Sequence, residues 1–285
     1  MATIAATVSS TARGVARAPV MVRLAAAFLL LVAVLAVAGP WLAPYDPAAQ
    51  DLMLNVSGPS GAHWLGTDQL GADVLSQVLA GTRAALIGPL VVALGTVVLG
   101  ASLGILAGYR GGWIDALLNR LADLMYALPS LLVIIVLVGV VGGGYWFAVL
   151  VLTVLSLPSE IRLCRSATLA QARLPYIDAA RTLGLPAGRI MARHLLPNIM
   201  PTVIATFLLD FVTALIGLSG LSYLGLGAPP GTPDWGTLLQ SGQNLLADNP
   251  WISLAPGAMI ALTATCFTLL GDWLYDRYSA NGDHS

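Results

Sequence analysis

Pro175-Tyr176-Ile177-Asp178-Ala179-Ala180-Arg181-Thr182-Leu183-Gly184 is the stretch that organises the rest of the chain. Pro186 follows it, and ten residues further on comes Leu196-Pro197. Asp178 reads as an N-cap, and the two alanines behind it give a slim helical face. Gly184 suits a left-handed C′ position that stops the helix. Pro186 suits the first turn of a second helix from Ala187 to Leu196, which Pro197 should break. The expectation is a short helix set at an angle to a longer one. Ala179-Ala180 would offer a groove-fitting surface, and Arg181, Arg189 and Arg193 would face a partner's acids or lipid head groups.

On either side of this segment the sequence turns apolar. Of 285 residues, 57% are hydrophobic and 9% are charged, against roughly a quarter charged in soluble domains. Crossing a bilayer takes about 20 apolar residues, and six stretches are long enough: 24–43, 84–109, 117–141, 145–163, 198–226 and 253–276. The first carries Arg13, Arg17 and Arg23 ahead of it and ends near Ala36-Val37-Ala38, which imitates a signal-peptide cleavage site. Its apolar run continues through Trp41 and Leu42, which favours a retained membrane anchor.

Charge fixes the expected orientation. An N-terminus in the cytoplasm leaves Arg13, Arg17, Arg23, Arg110, Arg120, Arg162, Arg165, Arg173, Arg181, Arg189, Arg193 and Arg277 inside, and only Arg83 outside. Asp46, Asp51, Asp68, Asp73, Asp234 and Asp248 fall on the outer segments. The chain then reads as an all-α membrane protein with six transmembrane helices and both ends inside. Its parts are a cytoplasmic tail 1–23, the helix 24–43, an outer loop 44–83, a five-helix core 84–276 and a cytoplasmic tail 277–285. The core holds the inner loop 164–197. Within the first outer loop, Asp73 to Gly81 reads as a short surface helix, and 227–252 forms a second outer loop.

Several functions are excluded or left without support. All thirteen basic side chains counted as Lys or Arg are Arg, so a P-loop lysine is missing and the chain is no standard P-loop ATPase. His63, His194 and His284 are scattered, which makes a metal site poorly supported. Cys164 and Cys266 read as packing residues, not a disulfide framework. The net charge of −1 gives no sign of nucleic-acid binding. No Ser/His/Asp set shares one aqueous pocket, so no catalytic residue is assigned.

Two further features stand out inside the spans. Asp210 lies near the middle of the fifth, where an acid is costly and therefore a functional candidate. Two readings are open: it lines a passage and meets a peptide amino group or water, or it is buried and paired, with the pairing slightly favoured. Gly100, Gly104 and Gly108 recur every four residues and read as a surface for close helix packing. Pro89, Pro129 and Pro201 should each kink or end a helix.

Asp178-Ala179-Ala180, then Gly184, then Leu196-Pro197, resembles the EAA…G…I-LP signature of bacterial ABC importer permeases. Asp178 stands where Glu is usual, and His194 where Ile is usual. His63 to Ser76 with Gly81-Thr82-Arg83 resembles the start of the C-type permease of dipeptide, oligopeptide and nickel importers, except that Ala72 stands where Arg is usual. Ser222 to Gly227 with Pro229 to Gly236 looks like an outer loop of that group. Pro250-Trp251, Pro256-Gly257 and Leu269 to Asp272 look like its last span. The resemblance covers about 60–280.

The resemblance implies a non-catalytic permease subunit that couples through Asp178, Ala179, Ala180, Arg181 and Gly184 to separate ATPase chains. ATP and Mg would sit on those partners, with no cofactor on this chain. A second homologous permease, two cytoplasmic ATPase domains, an extracytoplasmic binding protein and the bilayer are the expected partners. Di- or oligopeptides are the expected cargo, with nickel or another small chelate as the alternative. An ion-driven secondary transporter is the rival class, as is a non-transporting membrane anchor.

Overall fold

The computed structural model describes residues 18–142, 144–228 and 231–282. Arg13 and Arg17 of the N-terminal tail, Pro229 and Pro230 of the second loop, and His284 with the end of the C-terminal tail lie outside the described residues. Helices are the only extended elements among those described, with isolated β-bridges at Ser57–Thr67 and Thr67–Asp73. In chain order they are α1 (Val20–Leu42), α2 (Val74–Arg110), α3 (Gly112–Tyr126), α4 (Ser130–Val141) and α5 (Gly144–Ala172). There follow α6 (Pro175–Thr182), α7 (Ala187–Ile190), α8 (Leu196–Tyr223), α9 (Trp235–Gly242) and α10 (Trp251–Gly282). Among the described residues five helical stretches are long and apolar enough to cross a membrane, and six if the bent pair α3–α4 counts as one.

That pair departs from the straight span expected over 117–141. Its two halves meet at 79°, because Pro129 forces Leu128 out of helical backbone and itself opens α4 as its N-cap. Pro89 and Pro201 instead lie inside α2 and α8. The short surface helix expected at 73–81 is the beginning of α2, which runs unbroken for 37 residues. At 1.5 Å per residue α2 is about 55 Å long against a hydrocarbon layer of about 30 Å, so it projects well beyond the bilayer.

The described residues fall into two compact units, one within Met1–Leu86 and Pro230–Trp273, the other within Ile87–Pro229 and Leu274–Ser285. In the first, Val74 and Val78 of α2 pack with Leu238 of α9 and Ile252 of α10. Trp235, fully buried, donates from Nε1 to the Val78 carbonyl at 3.0 Å. Loop 43–73 is wound tightly by side chains. Asp68 accepts from the Leu70 and Ala72 amides and from Gln77 Nε2 at 2.6 Å. Asp73 caps α2 by accepting from the Ser76 amide at 2.8 Å. Asn249 Nδ2 reaches the carbonyls of Ser57, Leu65 and Thr67.

In the second unit α5 is the central helix, packed most extensively on α8 and also on α3 and α4. One apolar cluster joins Val92, Ile134, Val138, Val149, Leu152, Ala214 and Leu218. The glycine stripe on α2 lies against α5: a Cβ at Gly104 would fall 2.7 Å from the Ile161 carbonyl oxygen, and one at Gly108 would fall 2.8 Å from that of Arg165. Only the missing side chains let the two backbones come this close.

Candidate functional site

The segment 172–196 folds differently in detail from its sequence reading. α6 starts at Pro175, with Leu174 as N-cap, so Asp178 lies in the first turn and caps nothing. Proline at the first helical position, with its φ already set, outcompetes the carboxylate as the start signal. Gly184 does take the left-handed conformation, at φ 71°, and ends the helix. After Pro186 the chain does not stop at Pro197. α7 passes through one π-turn, Met191–Leu195, into α8, where Pro197 sits in the first turn and loses no needed hydrogen bond.

The inner face of α6 is apolar. Ile177 and Ala180 are buried with Ala101 and Ile105 of α2, Cys164 of α5, and Ile190, Leu195, Ile199 and Val203. The expected Ala179-Ala180 surface is therefore divided: Ala180 is core, and Ala179 faces outward. Arg181 lies over the Tyr109 ring at 5.0 Å and bonds Asp178 at 3.3 Å. Tyr176 donates to Gln171 Oε1 at 2.9 Å. Asp178, Ala179, Arg181, Thr182 and Gly184 are exposed, and Leu183 is 79% exposed. A rigidly seated helix thus presents a small polar face with one protruding leucine. Arg189 and Arg193 are exposed on the same segment.

Asp210 is half-buried on α8. Its Oδ2 is enclosed and has no hydrogen-bond partner among the described residues. A second intramembrane acid escaped the sequence reading. Glu160 on α5 is 2% exposed and accepts from Cys164 Sγ at 3.0 Å and Thr206 Oγ1 at 3.2 Å. It lies close enough to Asp210 for their charges to interact. Standing near the inner end of a span, Glu160 reads in sequence as interfacial. Gly100 on α2, whose Cβ would strike the Glu160 side chain, is the signal that buries it.

The arginines near the inner end of α5 are also engaged. Arg165 binds Asp115 of α3 through two nitrogens, Nη2 at 2.6 Å from Oδ2. Arg162 binds Asp123 at 2.5 Å and lies 5.0 Å from the Tyr126 ring centroid. Asp115 and Asp123, eight residues apart on one face of α3, thus hold the first half of the bent pair against α5.

Residues 100–280 match the family described as binding-protein-dependent transport system inner membrane component, a match that takes in α5, α6, the π-turn and α8. The chain belongs to that family. Residues 21–59 also match the N-terminal TM domain of oligopeptide transport permease C, which agrees with α1 as a membrane helix. Among similar proteins is the glutathione transport system permease protein of Pectobacterium atrosepticum, 37% identical over 87% of this chain and 83% of the relative. Another is the probable D,D-dipeptide transport system permease protein of Escherichia coli, 35% identical over 88% and 84%. The di/tripeptide transport system permease protein of Pseudomonas aeruginosa is 36% identical over 87% and 84%.

Among solved structures, an inward-facing form of the MetNI methionine ABC transporter matches with TM-score 0.57 and 19% identity, over 71% of this chain and 96% of that one. At that identity the likeness speaks for the fold alone. Family, relatives and fold agree: the chain is a multi-pass inner-membrane permease subunit of an ABC importer.

Proposed function

We propose that the chain forms half of the translocation pathway of an importer for di- and oligopeptides. It pairs with a second, related permease and takes its energy from two ATPase domains on other chains, which hold the ATP and Mg. The single observation that carries the coupling part is the seating of α6. Its apolar side is locked into the ends of α2, α5 and α8, while Asp178, Ala179, Arg181 and Leu183 are exposed to a partner. A push on that face passes into three long helices as a rigid-body displacement. Both termini lie in the cytoplasm, as the arginine distribution favours. A binding protein delivers cargo on the extracytoplasmic side, at loops 44–83 and 227–252. Peptide cargo is supported by the names of the relatives, which transport glutathione, D,D-dipeptides and di/tripeptides.

The test is a mild-detergent pull-down of the tagged chain, followed by uptake of labelled peptides in proteoliposomes. Recovery of a P-loop ATPase and a second permease, with ATP-dependent uptake, is the expected result. Recovery of the chain alone, transporting without ATP, would overturn the reading. Gly184→Leu is the sharper probe of coupling. A side chain there meets no neighbouring atom within 4 Å, but the left-handed backbone costs about 1–2 kcal/mol for a non-glycine residue. The variant should express and assemble yet lose peptide-stimulated ATP hydrolysis.

A further inference from the structure

The first unit carries a cavity of about 220 Å³ whose walls are Pro44, Tyr45, Ala62, Trp64, Asp73 and Leu75. Its walls are fixed in place. The Tyr45 hydroxyl donates to the Ala62 carbonyl at 3.0 Å, and the Tyr45 amide donates to Ser76 Oγ at 3.1 Å. The Tyr45 ring lies 4.7 Å from that of His63. Asp73 is held by the Ser76 amide and hydroxyl on one oxygen and meets His63 Nδ1 at 2.9 Å on the other. Trp64 is the exception, with 70% of its surface uncovered beside the opening. Two aromatic rings and a carbonyl around one small cavity, with the paired Asp73 carboxylate behind its wall, match the chemistry of an organic cation.

The charge around it points the same way. Among the described residues of 43–83 and 231–250 the acidic residues are Asp46, Asp51, Asp68, Asp73, Asp234 and Asp248, of which Asp68, Asp73 and Asp234 are buried, and the only arginine is Arg83. Asp46, Asp51 and Asp248 are exposed. Such a surface attracts and orients a basic partner, and an arginine or lysine entering a cavity at its centre is a common anchor of protein interfaces.

We infer that this cavity receives a lysine or arginine side chain of the binding protein that docks on this chain, with the cation held between the exposed Trp64 and the fixed Tyr45 ring and Asp73 behind the wall. The inference rests on the importer reading above, because it needs that partner. A purely apolar side chain fits less well, since it would strip water from the Ala62 carbonyl without replacing its interactions.

The experiment compares Trp64→Leu with Trp64→Phe in the assembled importer in lipid nanodiscs, measuring docking of its purified binding protein by biolayer interferometry. Leucine keeps apolar area but has no π face. The expected result is docking weakened about tenfold by leucine and less than about threefold by phenylalanine, with wild-type docking falling as salt rises. Melting temperature and co-purification with the ATPase report on folding. Equal docking by the two variants overturns the cation site while leaving the importer reading intact. Failure of the wild-type importer to bind any binding protein overturns both. Quenching of Trp64 fluorescence by brominated lipids also overturns it, since Trp64 would then lie in the membrane.

Discussion

The loop 43–73 and the segment 172–196 are both short-range structures inserted between long apolar helices, yet they are held by opposite means. The first is tied by polar side chains turned inward: Asp68, Asp73 and Asn249 spend their hydrogen bonds on backbone groups and on Gln77 and Ser76. The second is held by Ile177, Ala180, Ile190 and Leu195 turned inward, and its polar groups Asp178, Arg181 and Thr182 face out. Residue type therefore does not decide role here. An aspartate is a structural pin in one region and part of an offered surface in the other, and only burial tells them apart. The same contrast qualifies the charge asymmetry used for orientation, because Asp68, Asp73 and Asp234 are buried where they cap and tie the backbone.

The largest effect should come from the membrane side, where packing has no slack. Gly104→Val would push a Cβ to 2.7 Å from the Ile161 carbonyl and 2.8 Å from the Cys164 Cβ, with backbone that cannot move aside cheaply. Overpacking of this kind costs about 1–3 kcal/mol, often more against backbone. Detergent-solubilised protein should melt several degrees lower, or fail to elute as a single species. A variant with wild-type melting would mean that α2 and α5 do not meet along the glycine stripe.

Asn249→Ala comes next and tests the other region. It removes the donor to the Ser57, Leu65 and Thr67 carbonyls, and an unsatisfied buried acceptor costs about 1–3 kcal/mol. Hydrogen exchange should accelerate across 55–68 and leave α5 and α8 unchanged. Uniform acceleration through both units would show that the loop is not an independent piece of stability.

Much of this architecture is legible in the residues, and the parts that are not share a cause. Hydropathy locates apolar stretches because bilayer thickness imposes their length, and Gly184 announces its left-handed turn because few other residues accept one. What the sequence hides is competition between local signals. Pro175 and Asp178 both propose a helix start, and the proline wins. Pro129 breaks a helix while Pro89 and Pro201 lie inside theirs, a difference that residue type alone does not announce. Glu160 and the Asp115–Arg165 pair depend on contacts 40–60 residues apart in sequence, between helices whose mutual register no local pattern encodes.

That pair gives a smaller but cleaner test. Asp115→Arg should loosen α3 from α5, as should Arg165→Asp, each by about 1–3 kcal/mol for a partly buried charge-assisted bond. The double exchange should recover a substantial part of the loss. Thermal melting of the four proteins measures the coupling directly, and additive losses would mean that the bridge contributes nothing beyond its separate ends.

The smallest stability effect is expected at Asp210, and it separates structure from transport. Its enclosed Oδ2 has no hydrogen-bond partner among the described residues, so an amide of the same shape gives up no bond there. Asp210→Asn should therefore leave melting and co-purification of partners close to wild type. Peptide uptake then reports on the charge alone. Normal uptake assigns Asp210 to helix packing beside Glu160 and Thr206. A loss of uptake in a well-assembled importer assigns its carboxyl to the passage, because among the described residues no cation pairs with Asp210 and the substitution keeps its shape while removing its ionisable group.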